Sequence, residues 1–339
     1  MKKQLLPQRA HVYKANMHMH TTVSDGRMTP EEVKAAYKER GYSIVAFTDH
    51  EVIVDQKALR DKDFLPITSY ETAIGEEWAD GVPNGKKTYH INLYAKTEGQ
   101  VISPVFREAT IWKRIEHIKE YITDEMRAVD YPHVYGVDEV NEIIRLANEA
   151  GFLVSYNHPV WSLQNYPDYA GLKGLWGVEV HNTGCARTGY PDTVQPFEDL
   201  LRQGERVYPL ATDDAHALKD CFGGWLMVYA DELEYGAVMS ALENGDFYAS
   251  TGPEIREVSL EDGILHVECS EAAAVFVSTE RRDCKQVNAK DAPLTSADFD
   301  LTKYFADTSV GSRRWDPYLR VTVVDAHGNR AWTRAYFVE

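Results

Sequence analysis

The sequence predicts an α/β fold followed by a small all-β region, and three observations carry that reading. From about residue 12 to 230, short apolar runs alternate with amphipathic segments. Several runs are β-branched or aromatic on both faces, as strands covered on both sides of a parallel sheet must be. After about residue 250 the helical pattern stops, and short strand-like runs continue between Gly and Asp turns. A (β/α) barrel or a doubly wound sheet followed by a sandwich-like unit satisfies all three. The division predicted is 1–250 and 251–339.

Eight runs read as strands of the first part: Val12 to His20, Tyr42 to Thr48, Phe64 to Tyr70, Tyr89 to Tyr94, Phe152 to Asn157, Trp176 to His181, Val207 to Thr212 and Trp225 to Tyr229. Helices are expected between them. Thr29-Pro30-Glu31-Glu32 supplies an N-cap, a Pro at the first helical position and acids in the first turn, and Gly41 ends that helix. Val137 to Ala150 stops at Gly151, and Thr193 to Gln203 stops at Gly204. A longer helical stretch is predicted from about Pro104 to Arg127. In the second part, Ile255 to Leu260, Ile264 to Cys269, Ala274 to Ser278, Tyr318 to Val324 and Ala331 to Val338 read as strands, with no helix of any length.

Composition narrows the function. The formal net charge is −17, which argues against a groove that tracks duplex phosphates and against adsorption to an anionic membrane. A hydrophobic fraction of 44% is that of an ordinary globular chain. No apolar run is long enough to span a bilayer, and Met1 to Ala10 carries two lysines but no apolar stretch of a signal peptide. Cys185, Cys221, Cys269 and Cys284 form no CxxC pair, so reduced thiols and a cytoplasmic location are expected.

The histidines are the informative residues. His18, His20, His50, His90, His158 and His216 fall in or just beyond predicted strands, six of the twelve in the chain. Asp25, Glu71 and Asp214 take equivalent places, at the sheet edge where α/β folds bind ligands. His18-Met19-His20 puts two imidazoles on one face of a strand, and Asp214-Ala215-His216 repeats the spacing. A mixed imidazole and carboxylate set suits Zn²⁺, Mn²⁺ or Fe²⁺ better than Ca²⁺ or Mg²⁺.

Those residues carry a resemblance. Asn16-Met17-His18-Met19-His20-Thr21-Thr22 with Ser24-Asp25-Gly26, then Phe47-Thr48-Asp49-His50, Asn157-His158-Pro159 and Thr212-Asp213-Asp214-Ala215-His216 resemble, in order, the motifs of the PHP (polymerase and histidinol phosphatase) family. The similarity spans about residues 11–250. It implies a distorted seven-stranded (β/α) barrel with two or three divalent transition metal ions (Mn, Fe or Zn), followed here by a small all-β, sandwich-like domain. By the resemblance, His18, His20, Glu71 and Asp214 hold one ion, Asp25, His50 and His216 another, and His90 and His158 a third, with Glu71 bridging. Many members have His where this chain has Asp25. Glu179 reads as a residue behind the ligands, with His181 in the place of a family aromatic. The amidohydrolases also begin with HxH, but their strand-four Lys and lone late Asp are replaced here by His90 and an Asp-x-His.

The expected chemistry follows from charge. Three divalent ions among three carboxylates carry about +3, lowered by a bridging hydroxide to about the charge that balances a phosphate monoester dianion. The resemblance implies a metal-dependent phosphoric ester hydrolase, in which that hydroxide attacks the phosphorus of a small phosphomonoester or nucleotide. Arg187, on the loop after the sixth strand, is the candidate for binding the substrate's phosphate. Two alternatives stay open: a 5′-directed nuclease on short single-stranded oligonucleotides, and a non-catalytic metal-binding regulatory protein. His11, His117, His133, His266 and His327 are assigned to structure or solvent.

Overall fold

The computed structural model describes residues 2–77, 85–191, 193–306 and 316–337. Its strands are β1 (Lys3–Gln4), β2 (His11–Asn16), β3 (Tyr42–Phe47), β4 (Leu65–Gly75), β5 (Thr88–Ala95), β6 (Phe152–Tyr156), β7 (Gly177–Asn182), β8 (Tyr208–Thr212) and β9 (Trp225–Ala230). The later ones are β10 (Phe247–Ser250), β11 (Ile255–Glu261), β12 (Ile264–Ala272), β13 (Ala274–Thr279), β14 (Lys285–Asn288), β15 (Leu294–Asp300), β16 (Tyr318–Val324), β17 (Arg330–Thr333) and β18 (Tyr336–Phe337). The α-helices are α1 (Pro30–Glu39), α2 (Asp124–Arg127), α3 (Val137–Glu149), α4 (Tyr166–Tyr169), α5 (Thr183–Arg187), α6 (Gln195–Arg202), α7 (Tyr235–Asn244) and α8 (Thr302–Phe305).

Strands β2 to β8 lie side by side in chain order, and β9 then β10 continue the sheet on the far side of β2. Strand β8 packs near β9 and β10, which brings the two ends of this run together. The pairing is mixed, where the double-sided apolar runs suggested parallel strands. β5 runs antiparallel to both β4 and β6, and β9 runs antiparallel to both β2 and β10. Apolar coverage on two faces dictates burial and leaves strand direction free, so the sequence pattern was silent on this point.

The local signals are where they should be. Thr29 Oγ1 accepts from the Glu32 N–H while a Glu32 carboxylate oxygen accepts from the Thr29 N–H, closing a capping box on α1. α3 turns Val140, Ile143, Ile144 and Ala147 onto the sheet, and the chain then leaves through Gly151 at φ +85°. The expected long helix over Pro104–Arg127 is instead a chain of 3₁₀ turns, Glu108–Thr110 and Lys113–Tyr121, followed by α2. Ile115, Ile118, Ile122 and Met126 still face inward, against Val23, Val52 and Phe106. Spacing of three to four residues fits either winding, and Lys113–Tyr121 lacks a side-chain cap at its N-terminus.

The C-terminal strands form a second core of Val258, Val267, Val275, Val277, Val321 and Val323, among others. β1, from the extreme N-terminus, pairs with β11, and Leu6 joins this core. The long sheet runs on without a break from β10 through β17 and β16 to β13 and β14. β14, β15 and the one-turn α8 were not anticipated; Ala331 to Val338 divides into β17 and β18, with Val338 outside the described residues. Among the described residues no helix is long and apolar enough to cross a membrane.

Candidate metal centre

The nine candidate ligands converge on one edge of the β2–β8 sheet, although several are not at strand ends. β2 stops at Asn16, and His18 to His20 continue as extended chain. Backbone bonds hold that segment: the Asp214 N–H donates to His18 O (2.9 Å), and the His20 N–H to Ala215 O (3.1 Å). Glu71 lies inside the eleven-residue β4, whose residue 71 pairs with His50. His90 stands near the start of β5, and because β5 is antiparallel its beginning meets the ends of its neighbours. The Asn157 N–H donates to His90 O (3.0 Å), which locks His158 beside it.

Side-chain geometry groups the donors. His18 Nε2 and His20 Nε2 lie 3.1 Å apart and 3.4 and 3.1 Å from Asp214 Oδ1. Glu71 spans the centre: Oε1 is 3.4 Å from His18 Nε2, 3.1 Å from His90 Nδ1 and 3.3 Å from His158 Nε2. Its Oε2 is 3.4 Å from His20 Nε2 and 3.3 Å from His50 Nδ1. Asp25 Oδ1 sits 3.6 Å from His50 Nε2 and 3.2 Å from His216 Nε2. Four sets of donors come within ion-binding reach of one another: His20-Asp25-His50-His216, His18-His20-Asp214, His18-His158-Glu179 and Glu71-His90-His158.

These spacings fit metal ions. Ligands about 2.0–2.1 Å from one ion sit roughly 3.0–3.4 Å from each other. Many of the contacts are close without being aligned as hydrogen bonds. Asp25 Oδ1, His50 Nδ1, His90 Nδ1 and Asp214 Oδ1 are buried with no hydrogen-bond partner. Among the described residues no lysine or arginine pairs with Asp25, Glu71 or Asp214; every ion pair they make is with a histidine. Buried carboxylates without a strong cation are costly, and a divalent ion would supply what is missing.

The electrostatics say the same. Burial opposes charge on His18, yet Asp214, Glu71 and Glu179 outweigh it and hold the imidazolium well above its ordinary range. Burial opposes charge on His20 also, but bonding to Asp214 and Glu71 pushes it up to about 10. Burial would raise Asp25, Glu71 and Asp214, and the surrounding imidazoles hold all three below the usual carboxylate range instead. Burial and the neighbouring His20 hold His50 well below its ordinary value.

Residues behind the donors fix their aim. Glu179 Oε1 is 2.7 Å from His18 Nδ1 and accepts from Thr212 Oγ1 (2.7 Å); its Oε2 accepts from the His158 N–H and from Asn182 Nδ2. This agrees with its expected place behind the ligands. Asn182 Nδ2 also donates to Asp214 Oδ2 (3.1 Å), and Asn157 Nδ2 to Glu71 Oε1 (2.9 Å). Asp49 takes four bonds from Thr21 and Ser24, shaping the loop that carries Asp25. Asp213 accepts from Tyr37 and from the N–H groups of Phe222, Gly223 and Gly224. Asp49, Asn157 and Asp213 stand within the motifs above with no role assigned to them, and adjacency to ligands was the available signal; Asn182 stands outside those motifs. His158 and Asp214 adopt left-handed φ of +24° and +48°, a strain of about 1–3 kcal/mol each that this packing sustains.

Two tryptophans flank the donors. Trp112 meets His50 edge-on, with ring centroids 4.9 Å apart. Trp161, 43% exposed, lies 5.3 Å from His90 and 5.2 Å from His158. Arg187 ends α5 rather than lying in a loop, and its Nη2 donates to Cys221 O (3.3 Å).

Residues 16–105 match the family model of the PHP domain. Over that stretch the chain is similar to a PHP domain. Among curated proteins none matches. Several solved structures are similar in arrangement. A two-domain protein from Bacteroides vulgatus, containing a predicted PHP-like metal-dependent phosphoesterase, aligns over 99% of this chain and 98% of its own at 15% identity and a TM-score of 0.43. An amidohydrolase from Chromobacterium violaceum covers 69% of this chain and 96% of its own, at 16% identity and a TM-score of 0.39. A lesion-specific endonuclease from Pyrococcus furiosus covers 69% and 56%, at 16% identity and a TM-score of 0.41.

Proposed function

We propose that this protein is a PHP-domain metal-dependent phosphoesterase acting on a small phosphorylated substrate, a phosphomonoester or nucleotide. The observation that carries the reading is Glu71: its two carboxylate oxygens face His18, His20, His50, His90 and His158, and no lysine or arginine neutralises it among the described residues. His18, His20, Asp25, His50, Glu71, His90, His158, Asp214 and His216 would hold two or three Mn, Fe or Zn ions. Bound there, the ions supply Lewis acidity and lower the pKa of water toward neutrality.

The chain's own residues do the rest. Glu179 keeps the Nδ1–H of His18 pointed away from the centre, so that Nε2 presents its lone pair inward. Asn157 and Asn182 steady Glu71 and Asp214. His18, His20 and Glu71 are buried, while His216 is about one-third exposed, so substrate enters on the Asp25–His216 side. The leaving oxygen takes its proton from water or from an imidazole at this rim. Full occupancy of all nine donor positions speaks against the non-catalytic alternative. The exposed ring of Trp161 beside His90 and His158 suits a substrate with a planar group, such as a nucleotide, and keeps a nuclease acting on short single strands as the second reading.

The architecture belongs to the same proposal. β2 to β8 would be the seven barrel strands within 1–250, and 251–339 the all-β domain, with β1 as an N-terminal strand lent to that domain. The test is elemental analysis together with hydrolysis of 4-nitrophenyl phosphate in the presence of Mn²⁺. More than one transition metal per chain is expected, with activity lost in His20→Ala and Asp214→Ala while circular dichroism is unchanged. A metal-free, inactive wild type would end the proposal.

A further inference from the structure

A cleft of about 680 Å³ opens between the segment after β7 and the turn that leads into β17. That volume is in the range of small-molecule sites, roughly 300–1,000 Å³. Both halves of the chain build it: Thr183 and Arg187 on one side, Thr251 and Arg330 on the other, with Gly223 between. In a chain with 53 acidic residues, none is among the described residues lining this cleft.

The two arginines are anchored without being neutralised. Arg187 is tied to Cys221 O, and the Arg330 backbone is tied to Thr251 by reciprocal bonds of 2.9 and 2.8 Å. Among the described residues neither guanidinium has a carboxylate within 4.0 Å. Such groups match phosphate oxygens in geometry as well as charge. The cleft shares part of its wall with a recess beside the candidate metal centre. Val180 and His181 line both it and a narrower recess walled by His158, Trp161 and Asn182. Asn182 in turn touches Asp214.

We propose that this cleft binds a second phosphoryl group of the substrate, with Arg187 and Arg330 as its ligands. The anion site stands on the cleft itself; its assignment to the substrate rests on the phosphoesterase reading above. The C-terminal strands then have a task, since β17 supplies Arg330. The preferred substrates carry two phosphoryl groups, as a 5′-phosphorylated dinucleotide does, rather than a lone monoester.

The first arm of the test is calorimetric titration of inorganic pyrophosphate into metal-stripped protein. Saturable binding is expected, weakened about tenfold or more in Arg187→Ala and in Arg330→Ala, and partly restored in Arg330→Lys. Circular dichroism confirms that the variants fold. The second arm is steady-state kinetics of the metal-loaded protein on a 5′-phosphorylated dinucleotide, for which Arg330→Ala should raise KM about tenfold with kcat little changed. Absence of saturable binding, or binding indifferent to both arginines, overturns the site. Arginine-dependent binding with an unchanged dinucleotide KM overturns its assignment to the substrate. Arginine-dependent binding in a protein that hydrolyses no phosphate ester leaves the anion site supported and refutes the phosphoesterase reading.

Discussion

His18 Nδ1 and Glu179 Oε1 are 2.7 Å apart, both fully enclosed, on the side of the imidazole opposite Glu71 and Asp214. A carboxylate in that position selects the tautomer whose Nε2 is free to bind a metal, and raises its basicity. Glu179→Gln keeps the size of the side chain and removes its charge. Metal affinity is expected to fall about 10–100-fold, read by competition with a chromogenic chelator. Unchanged affinity would show that the pair only fills space.

Gly26 marks the tightest approach in the loop carrying Asp25. A Cβ there would lie 2.4 Å from His20 O and 2.7 Å from Thr21 Cα, both backbone atoms that cannot step aside. Gly26→Ala should therefore displace Asp25 and cost about 1–3 kcal/mol of stability, with metal content falling in parallel. Urea denaturation and elemental analysis check the two effects. A variant with wild-type metal content would mean that the loop has room to shift without moving Asp25.

The motifs that made the centre legible are local: HxH, Asp-x-His and Asn-His-Pro each place a donor beside its own support. What the sequence hid depends on partners distant in the chain. Glu179 is defined by His18, 161 residues away, and Asp213 by Tyr37, 176 residues away. His90 reaches the ligand edge only because β5 runs antiparallel, and strand direction leaves no trace in an apolar run. Pro104–Arg127 shows the limit of periodicity, since buried isoleucines three to four residues apart serve 3₁₀ turns as well as a helix. The pairing of β1 with β11 joins the chain's start to its second core and was equally invisible.

The carboxylate field around His20 gives the metal-stripped protein a pH signature. Its pKa rises from 6.5 to about 10 on folding, because Asp214 and Glu71 overcome the penalty of burial. A raised folded-state value contributes stability that is fully present below the unfolded value and lost as pH climbs through the folded one. His18 acts in the same direction, whereas His50 is depressed, so its contribution is present above its ordinary value and lost as pH falls below it. The melting temperature of stripped protein should thus decline from about pH 7 to 10. Metal-saturated protein has already given up these protons and should show no such decline there. Identical profiles for the two forms would contradict the shared role of these groups.

A different pair ties the C-terminal strands to the first part of the chain. Arg320 on β16 meets Glu198 on α6 with their side chains only 10% and 9% exposed, and Tyr318 Oη donates to the other Glu198 oxygen at 3.1 Å. The two charges largely offset each other's desolvation, and Arg202, with Nη2 3.5 Å from the oxygen that Tyr318 meets, leaves Glu198 partly paired when Arg320 is removed. Arg320→Met should cost about 1–3 kcal/mol in urea denaturation, less than a charge left with no partner. Adding Glu198→Gln keeps an acceptor for Tyr318 and removes the half-paired charge, at the expense of the Arg202 contact, so the double variant should regain part of that loss. If Arg320→Met alone costs less than about 1 kcal/mol, the value of an exposed pair, solvent reaches Glu198 and this contact does not hold the two parts together.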